Sequence, residues 1–439
     1  MKLNTKRTVL VGFAFLSICA FWQMYDNLIP LILTDTFHMN ETVSGFLMAA
    51  DNILALFLLP LFGGISDRCH SRLGRRRPFV LFGTLAAVCL MLGLPLIADS
   101  YHAAPSTGKL AGFVLLLGAL LVAMGTYRSP AVALMPDVTP KPLRSKANAI
   151  INLMGAVGGV LYLLITTFLY TTKSDTYISY FPLFAIVGGI MVTAVIILMA
   201  FVNEPKLAAE NDAYEKAHPE ENLVEVTDHG EALPKEVKRS LAFLLLSIAF
   251  WFIGYNGVTT WFSVYAEEMW DMSLGQANMC LTIATAGAIV SYIPVGSVAS
   301  RIGRRRTIRF GTVILASCFA LGFVYTLLFP HFSPVLYLLF ALVGLAWAAI
   351  NVNSLPMVVE MCKGSEVGKF TGLYYTFSMS AQIATPIVAG FLLHNVSYKT
   401  LFPYAAIFVA ASCVTMGFVR HGDNRIPVKK GLEAFDVED

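Results

Sequence analysis

Charge is what this chain has least of. Only 13% of its 439 residues are Asp, Glu, Lys or Arg, against 56% hydrophobic, and a soluble domain carries about twice that share of charge. Several chemistries are missing too. The seven cysteines (19, 69, 89, 280, 318, 362 and 413) are scattered through mostly apolar stretches, with no C-x-x-C or Cys/His spacing. A disulfide framework and a zinc site are therefore unsupported, and the thiols read as small buried hydrophobes. No Walker-type phosphate loop occurs, so ATP-driven work is excluded. No Ser/His pair, Gly-flanked Asp/Asp pair or His/Glu metal motif is evident, so an intramembrane enzyme finds no support. None of the eight histidines falls in the middle of an apolar run, which removes the side chain that most often titrates near neutrality.

What is there is length without polarity. Repeated runs of about 20 apolar residues match the ~30 Å of a bilayer's hydrocarbon. Short alternating segments of the barrel type are absent. Apolar length and turn residues predict an all-α polytopic membrane protein with twelve transmembrane helices. The spans are 9–34, 42–65, 78–97, 110–136, 144–171, 180–202, 240–266, 273–300, 307–329, 333–360, 367–394 and 399–420. Met1–Arg7 followed by Thr8–Leu33 has the order of a signal peptide, but its apolar part is too long and an uncleaved first helix is expected.

With the first residues inside, 27 of the 31 Lys and Arg fall on inner segments, three (Lys109, Lys173, Lys399) on outer loops, and Arg128 within a span. That asymmetry predicts both termini in the cytosol of a cell membrane. Residues 203–239 are acidic and poor in apolar side chains. They read as a flexible cytosolic linker between two six-helix bundles, 1–202 and 240–420, with a short polar tail at 421–439.

The two bundles echo each other. Gly63-Gly64-Ile65-Ser66-Asp67-Arg68-Cys69-His70-Ser71-Arg72-Leu73-Gly74-Arg75-Arg76-Arg77-Pro78 lies between spans two and three. A shorter Arg301-Ile302-Gly303-Arg304-Arg305-Arg306 lies between spans eight and nine. Leu134-Met135-Pro136-Asp137 closes span four, and Asn353-Ser354-Leu355-Pro356 closes span ten. On these patches, and on Gly344–Asn351, the chain resembles the major facilitator superfamily, in particular the glycoside–pentoside–hexuronide:cation symporters and plant-type sucrose transporters. The resemblance implies two six-helix repeats with a solute path between them, and cation-coupled uptake of a sugar, disaccharide, glycoside or oligosaccharide. It also implies a cytosolic gate formed by Gly63, Asp67, Arg68 and Arg75. Asp67 ends a helix, where the macrodipole disfavours an acid, so an arginine partner is expected. The position matching Asp67 in the second repeat is Ser300. By this alignment the arginine of the plant signature falls on Val132, which argues for a relative of sucrose over sucrose itself.

Charges in hydrocarbon usually face water or a partner, and three stand out: Asp26, Asp51 and Arg128. Counting rise along each helix puts both aspartates roughly 12–14 Å below the outer surface and Arg128 roughly 13–15 Å deeper, too far for an ion pair. A carboxyl in a low-dielectric site favours its neutral form, so Asp26 and Asp51 are the candidate proton-coupling residues. Sodium coupling would need several oxygens about the acids and stays open.

Sugar binding needs flat aromatic faces together with matched donors and acceptors. Span one offers Trp22, Gln23, Tyr25 and Asn27, and Arg128 of span four, lining the inner half of the cavity, is placed to hold a substrate hydroxyl or a backbone carbonyl. Span seven offers Trp251, Tyr255, Asn256 and Trp261. Asn148, Asn152, Trp347, Asn351, Asn353, Tyr374 and Gln382 come from spans five, ten and eleven. No metal site or resident cofactor is expected, only a coupling ion. The expected partners are a small sugar-like solute and the lipid bilayer, without nucleic acid, and a monomer is expected to suffice. Two other readings compete: a proton-coupled drug or metabolite exporter of the same fold, and a non-transporting nutrient sensor.

Overall fold

The computed structural model describes residues 3–140, 143–172, 176–217, 234–361 and 367–423, and its regular structure there is helical. The helices are α1 (Thr5–Leu31), α2 (Glu41–Asp67), α3 (Arg77–Ala103), α4 (Thr107–Asp137), α5 (Arg144–Leu169), α6 (Phe181–Phe201) and α7 (Glu204–Ala217). They continue with α8 (Lys235–Trp270), α9 (Leu274–Ile302), α10 (Arg304–Leu328), α11 (Val335–Glu360), α12 (Val367–Asn395) and α13 (Leu401–Gly417). Twelve are long and apolar enough to span a membrane, and α7 is not among them. Only a helix satisfies its own backbone in hydrocarbon, and so long apolar runs become helices there.

The ends are set by local chemistry. Asn4 accepts from the Arg7 amide at the start of α1. Ser106 accepts from the Gly108 amide at the start of α4, and Ser273 with Gln276 forms a reciprocal capping box on α9. Pro30, which lacks an amide hydrogen, precedes a π turn at Ile32–Thr36 that extends α1.

The chain divides into two compact units. The first comprises Met1–Met39 and Ala50–Asn222, the second Asn40–Ala49 and Leu223–Asp439. In the first, α1 packs on α5 and α6, and α3 on α4 and α6; in the second, α8 packs on α12 and α13, and α10 on α11 and α13. The same four pairings occur in both, as expected of a repeat. The α1–α5 seam is close because α5 carries Gly158, where an added Cβ would collide with the Leu16 carbonyl oxygen.

The arginine turns are built alike. In the first unit Arg76 Nε donates to Asp137 Oδ2 at 2.8 Å, and Nη2 pairs with Asp67. Arg77 donates to the Met199 carbonyl at the end of α6. Glu204, which follows α6, accepts from the amides of Arg75, Arg76 and Arg77 at 2.7, 2.9 and 2.9 Å. A carboxylate thus plugs the start of α3, where the macrodipole favours negative charge. In the second unit Arg304 pairs with Glu360 at 2.6 Å and Arg305 donates to the Gly417 carbonyl at 2.6 Å. Asp423 accepts from the Arg305 amide at 3.1 Å. Gly74 and Gly303 make these turns at φ 114° and 95°, which other residues rarely adopt. Asp67 is not matched in the second turn, where Ser300 holds its position.

Part of the expected linker is ordered helix. α7 spans Glu204–Ala217, with Glu210 on Arg7 at 2.7 Å and Asn211 Nδ2 on the Asp137 carbonyl at 3.3 Å. Net acidity hides a run of strong helix formers, Lys206-Leu207-Ala208-Ala209-Glu210. The end of the linker, from Lys235, belongs to α8; residues 218–233, and the tail from 424, lie outside the described residues. The tail's beginning is tied down, since His421 Nδ1 lies 2.8 Å from Ser240 Oγ.

Candidate functional site

Three intramembrane charges converge on one face of the first unit. Asp26 on α1 is exposed although it lies mid-helix, and Asp51 on α2 and Arg128 on α4 are half-buried. The Arg128 guanidinium stands over the Trp22 ring, 5.2 Å from its centroid, in cation–π geometry. Its charge acts through space on both carboxylates, and Asp51 acts likewise on Asp26. Asn52 Nδ2 donates to Asp51 Oδ1 at 2.9 Å. Trp22 keeps its buried indole N–H without an acceptor among the described residues.

Among the described residues no ion pair joins Arg128 to either carboxylate, as the depth count expects. Trp22 is one turn, about 6 Å, from Asp26, so its contact with the guanidinium brings the Arg128 charge nearer the acids than backbone rise alone implies. The reason is side-chain direction. Every Cα–Cβ bond leans toward its helix N-terminus; α1 and α4 run oppositely, so Arg128 and Asp26 lean toward each other.

Other expected residues fall into two groups. Gln23, Asn148 and Asn152 are half-buried in the first unit. In the second, Tyr255 and Trp347 stack in parallel, with centroids 3.7 Å apart and 6° between planes, and Phe252 meets Trp347 edge-on. Asn256 keeps a buried Nδ2 without an acceptor among the described residues, and Gln382 is half-buried.

The remainder are placed in packing. Tyr25, Trp251 and Trp261 are buried, and Trp261 donates to the Pro386 carbonyl at 3.3 Å. Asn27, also buried, accepts from the Tyr162 hydroxyl at 2.7 Å. Asn353 donates to the Ala349 carbonyl at 2.9 Å, Tyr374 lies 3.2 Å from Ser354 Oγ, and Asn351 is buried on the same helix. Helical spacing gives these residues a face, but burial depends on neighbours that spacing does not show.

At the arginine turn, Arg75 lies 3.7 Å from Asp137, Gly63 approaches Ser129 of α4, and Arg68 is exposed. The partner of Asp67 is Arg76. Nothing within the Arg75–Arg77 run distinguishes Arg76 in sequence, so no pattern there could have found it.

The twelve spans in two like units define a transporter architecture, and the chain belongs to the Major Facilitator Superfamily, whose family model matches residues 11–274 and 268–435. Among particular relatives, it is 31% identical over 152 residues to the sucrose transport protein SUC3 of Arabidopsis thaliana, covering 32% of this chain and 25% of that one. It is 22% identical over 428 residues to an uncharacterised MFS-type transporter of Methanocaldococcus jannaschii, covering 94% and 95% of the two chains. The chain therefore spans only about a quarter of the length of that plant relative. Among solved structures, the inward-open xylose transporter XylE of E. coli matches with TM-score 0.67 at 15% identity, covering 95% of this chain and 96% of that one. The nucleoside transporter NupG gives 0.67 at 13%, covering 95% and 100%. At such identities these structures support the fold alone.

Proposed function

We propose that the chain is a secondary active transporter that carries a neutral sugar, such as a disaccharide or glycoside, together with a proton by alternating access. The observation that carries this reading is Arg128 over Trp22, one turn from Asp26, with Asp51 near enough for its charge to act on Asp26. Two carboxylates and one guanidinium leave one excess negative charge, which a single proton cancels. A site of that balance takes one proton with a neutral solute. The indole face and amide side chains suit the alternating C–H faces and hydroxyls of a sugar. The local likeness to a sucrose transport protein supports the substrate class, and the Lys/Arg distribution supports cytosolic termini.

In alternating access, a single proton would bring the site of two acids and one arginine to neutrality, so that it can reorient without carrying a net charge through hydrocarbon. At the cytosolic face the Asp67–Arg76–Asp137 network would act as the closing latch. Uptake of a panel of mono- and disaccharides into proteoliposomes, with and without an imposed inward proton gradient, tests the proposal. Gradient-driven accumulation of at least one sugar is expected, together with its loss in D26N or D51N. Full gradient-driven uptake by both variants would remove these acids from coupling, and no uptake of any sugar would refute the substrate class.

A further inference from the structure

We propose that Tyr162 and Tyr127 are positioning residues, buried hydroxyl pins that fix the residues next to Asp26 and Arg128 and so set where those two charges stand. The inference rests on the reading that Asp26 and Arg128 carry transport, and it adds two residues that touch neither proton nor solute.

Both phenols are fully buried, Tyr162 on α5 and Tyr127 on α4. Phenylalanine would fill the same space, and a buried hydroxyl has to recover its lost hydration by bonding. Each bond crosses between helices. The Tyr162 hydroxyl donates to Asn27 Oδ1 at 2.7 Å, joining α5 to α1. The Tyr127 hydroxyl lies 3.0 Å from Ser17 Oγ, joining α4 to α1. In each case the pinned residue is the immediate neighbour of a charge: Asn27 follows Asp26, and Tyr127 precedes Arg128. At Asp51 the corresponding bond comes from Asn52 on the same helix, which holds the carboxylate without joining α2 to another element.

Adjacent residues on a helix are about 100° apart, so a bond in the core holds a neighbour toward the open face at a fixed rotation. With a carboxylate about 5 Å from the helix axis, a rotation of roughly 20° would move it about 2 Å. A functional group needs placement to within about 0.5 Å. A directional hydrogen bond adds to side-chain packing a further penalty for such a rotation. The α1–α5 contact at Gly158 brings the two backbones together, and Tyr162, one helical turn further along, sets the angle.

The test uses the full chain and two readouts. The first is infrared titration of the carboxylic C=O band in detergent, with Asp26 assigned by subtracting D26N. The second is the pH profile, KM and Vmax of proton-driven sugar uptake in proteoliposomes. Tyr162→Phe is expected to move the Asp26 titration midpoint by roughly half a pH unit or more, with the thermal unfolding midpoint nearly unchanged. Tyr127→Phe is expected to raise KM at least about fivefold, and adding Ser17→Ala should worsen it no further, because both substitutions remove the same bond. Should either phenylalanine variant fail to fold, Asn27→Ala and Ser17→Ala break the same two bonds from the other side.

An unmoved midpoint in folded Tyr162→Phe overturns the pin at Asp26, and an unmoved KM in Tyr127→Phe overturns the pin at Arg128. If the wild type takes up no sugar, the transport reading fails, while the infrared arm still decides the first pin. A wild type that shows no Asp26 band between roughly pH 4 and 9 counts against the pin at Asp26, and KM in Tyr127→Phe still decides the pin at Arg128.

Discussion

Arg128 is where residue identity matters most, because one planar group covers an aromatic face while its charge acts through space on two acids. Lysine would keep the charge but concentrate it on a compact, strongly hydrated head that stacks poorly. We expect R128K to retain expression and lose about tenfold in sugar uptake per unit substrate, roughly 1.4 kcal/mol. Initial-rate uptake at low sugar concentration measures this. The three charges were legible in the sequence because hydrocarbon makes any charge conspicuous. Asn27, Trp251 and Trp261 are ambiguous in sequence for the opposite reason. Amides and indoles serve both binding and packing; the bonds of Asn27 to Tyr162 and of Trp261 to Pro386, and the burial of Trp251, separate the two. Tyr162 and Ser17 left no signal, since one hydroxyl in an apolar run looks like filler.

At the scale of the element, the helix starts carry the clearest energetic predictions. Glu204 offers three amides of the α3 start a charged acceptor. E204Q keeps the shape and loses the charge, at an expected cost of about 1–2 kcal/mol. A lower thermal unfolding midpoint in detergent is the measurement. At the opposite end of α3, Asp99 accepts from Tyr177 at 2.8 Å and from Ser179 at 2.7 Å, and His102 stacks on Tyr177 at 3.9 Å. Burial, and then the bond to Asp99, hold the Tyr177 phenol above its ordinary 10.0. The folded chain therefore binds this proton more tightly than the unfolded one. The contribution to stability is complete below about pH 10 and declines as pH rises toward the higher folded value. Unfolding midpoints measured across that range should fall less steeply in Tyr177→Phe. Helix number and extent were readable from apolar length. α7 was not, because counting acids concealed its helix formers.

For the whole molecule, the repeat was visible in the two arginine turns, yet their partners were not, because Glu204 and Asp423 lie more than a hundred residues along the chain from the turns they cap. Each repeat brings an acid from beyond its last span back to the start of its own third helix, so the stretch from third helix to last span closes into a ring with residues of that repeat alone. A nick in the connecting stretch should then cost each ring none of its own contacts. Co-expressed as two polypeptides, 1–222 and 223–439, the chain is expected to yield two individually folded pieces that co-purify and regain uptake. Recovery of one piece only as aggregate would show that its ring does not close unaided. The family could then exchange one repeat for another as a ready-made part, since each repeat supplies its own cap.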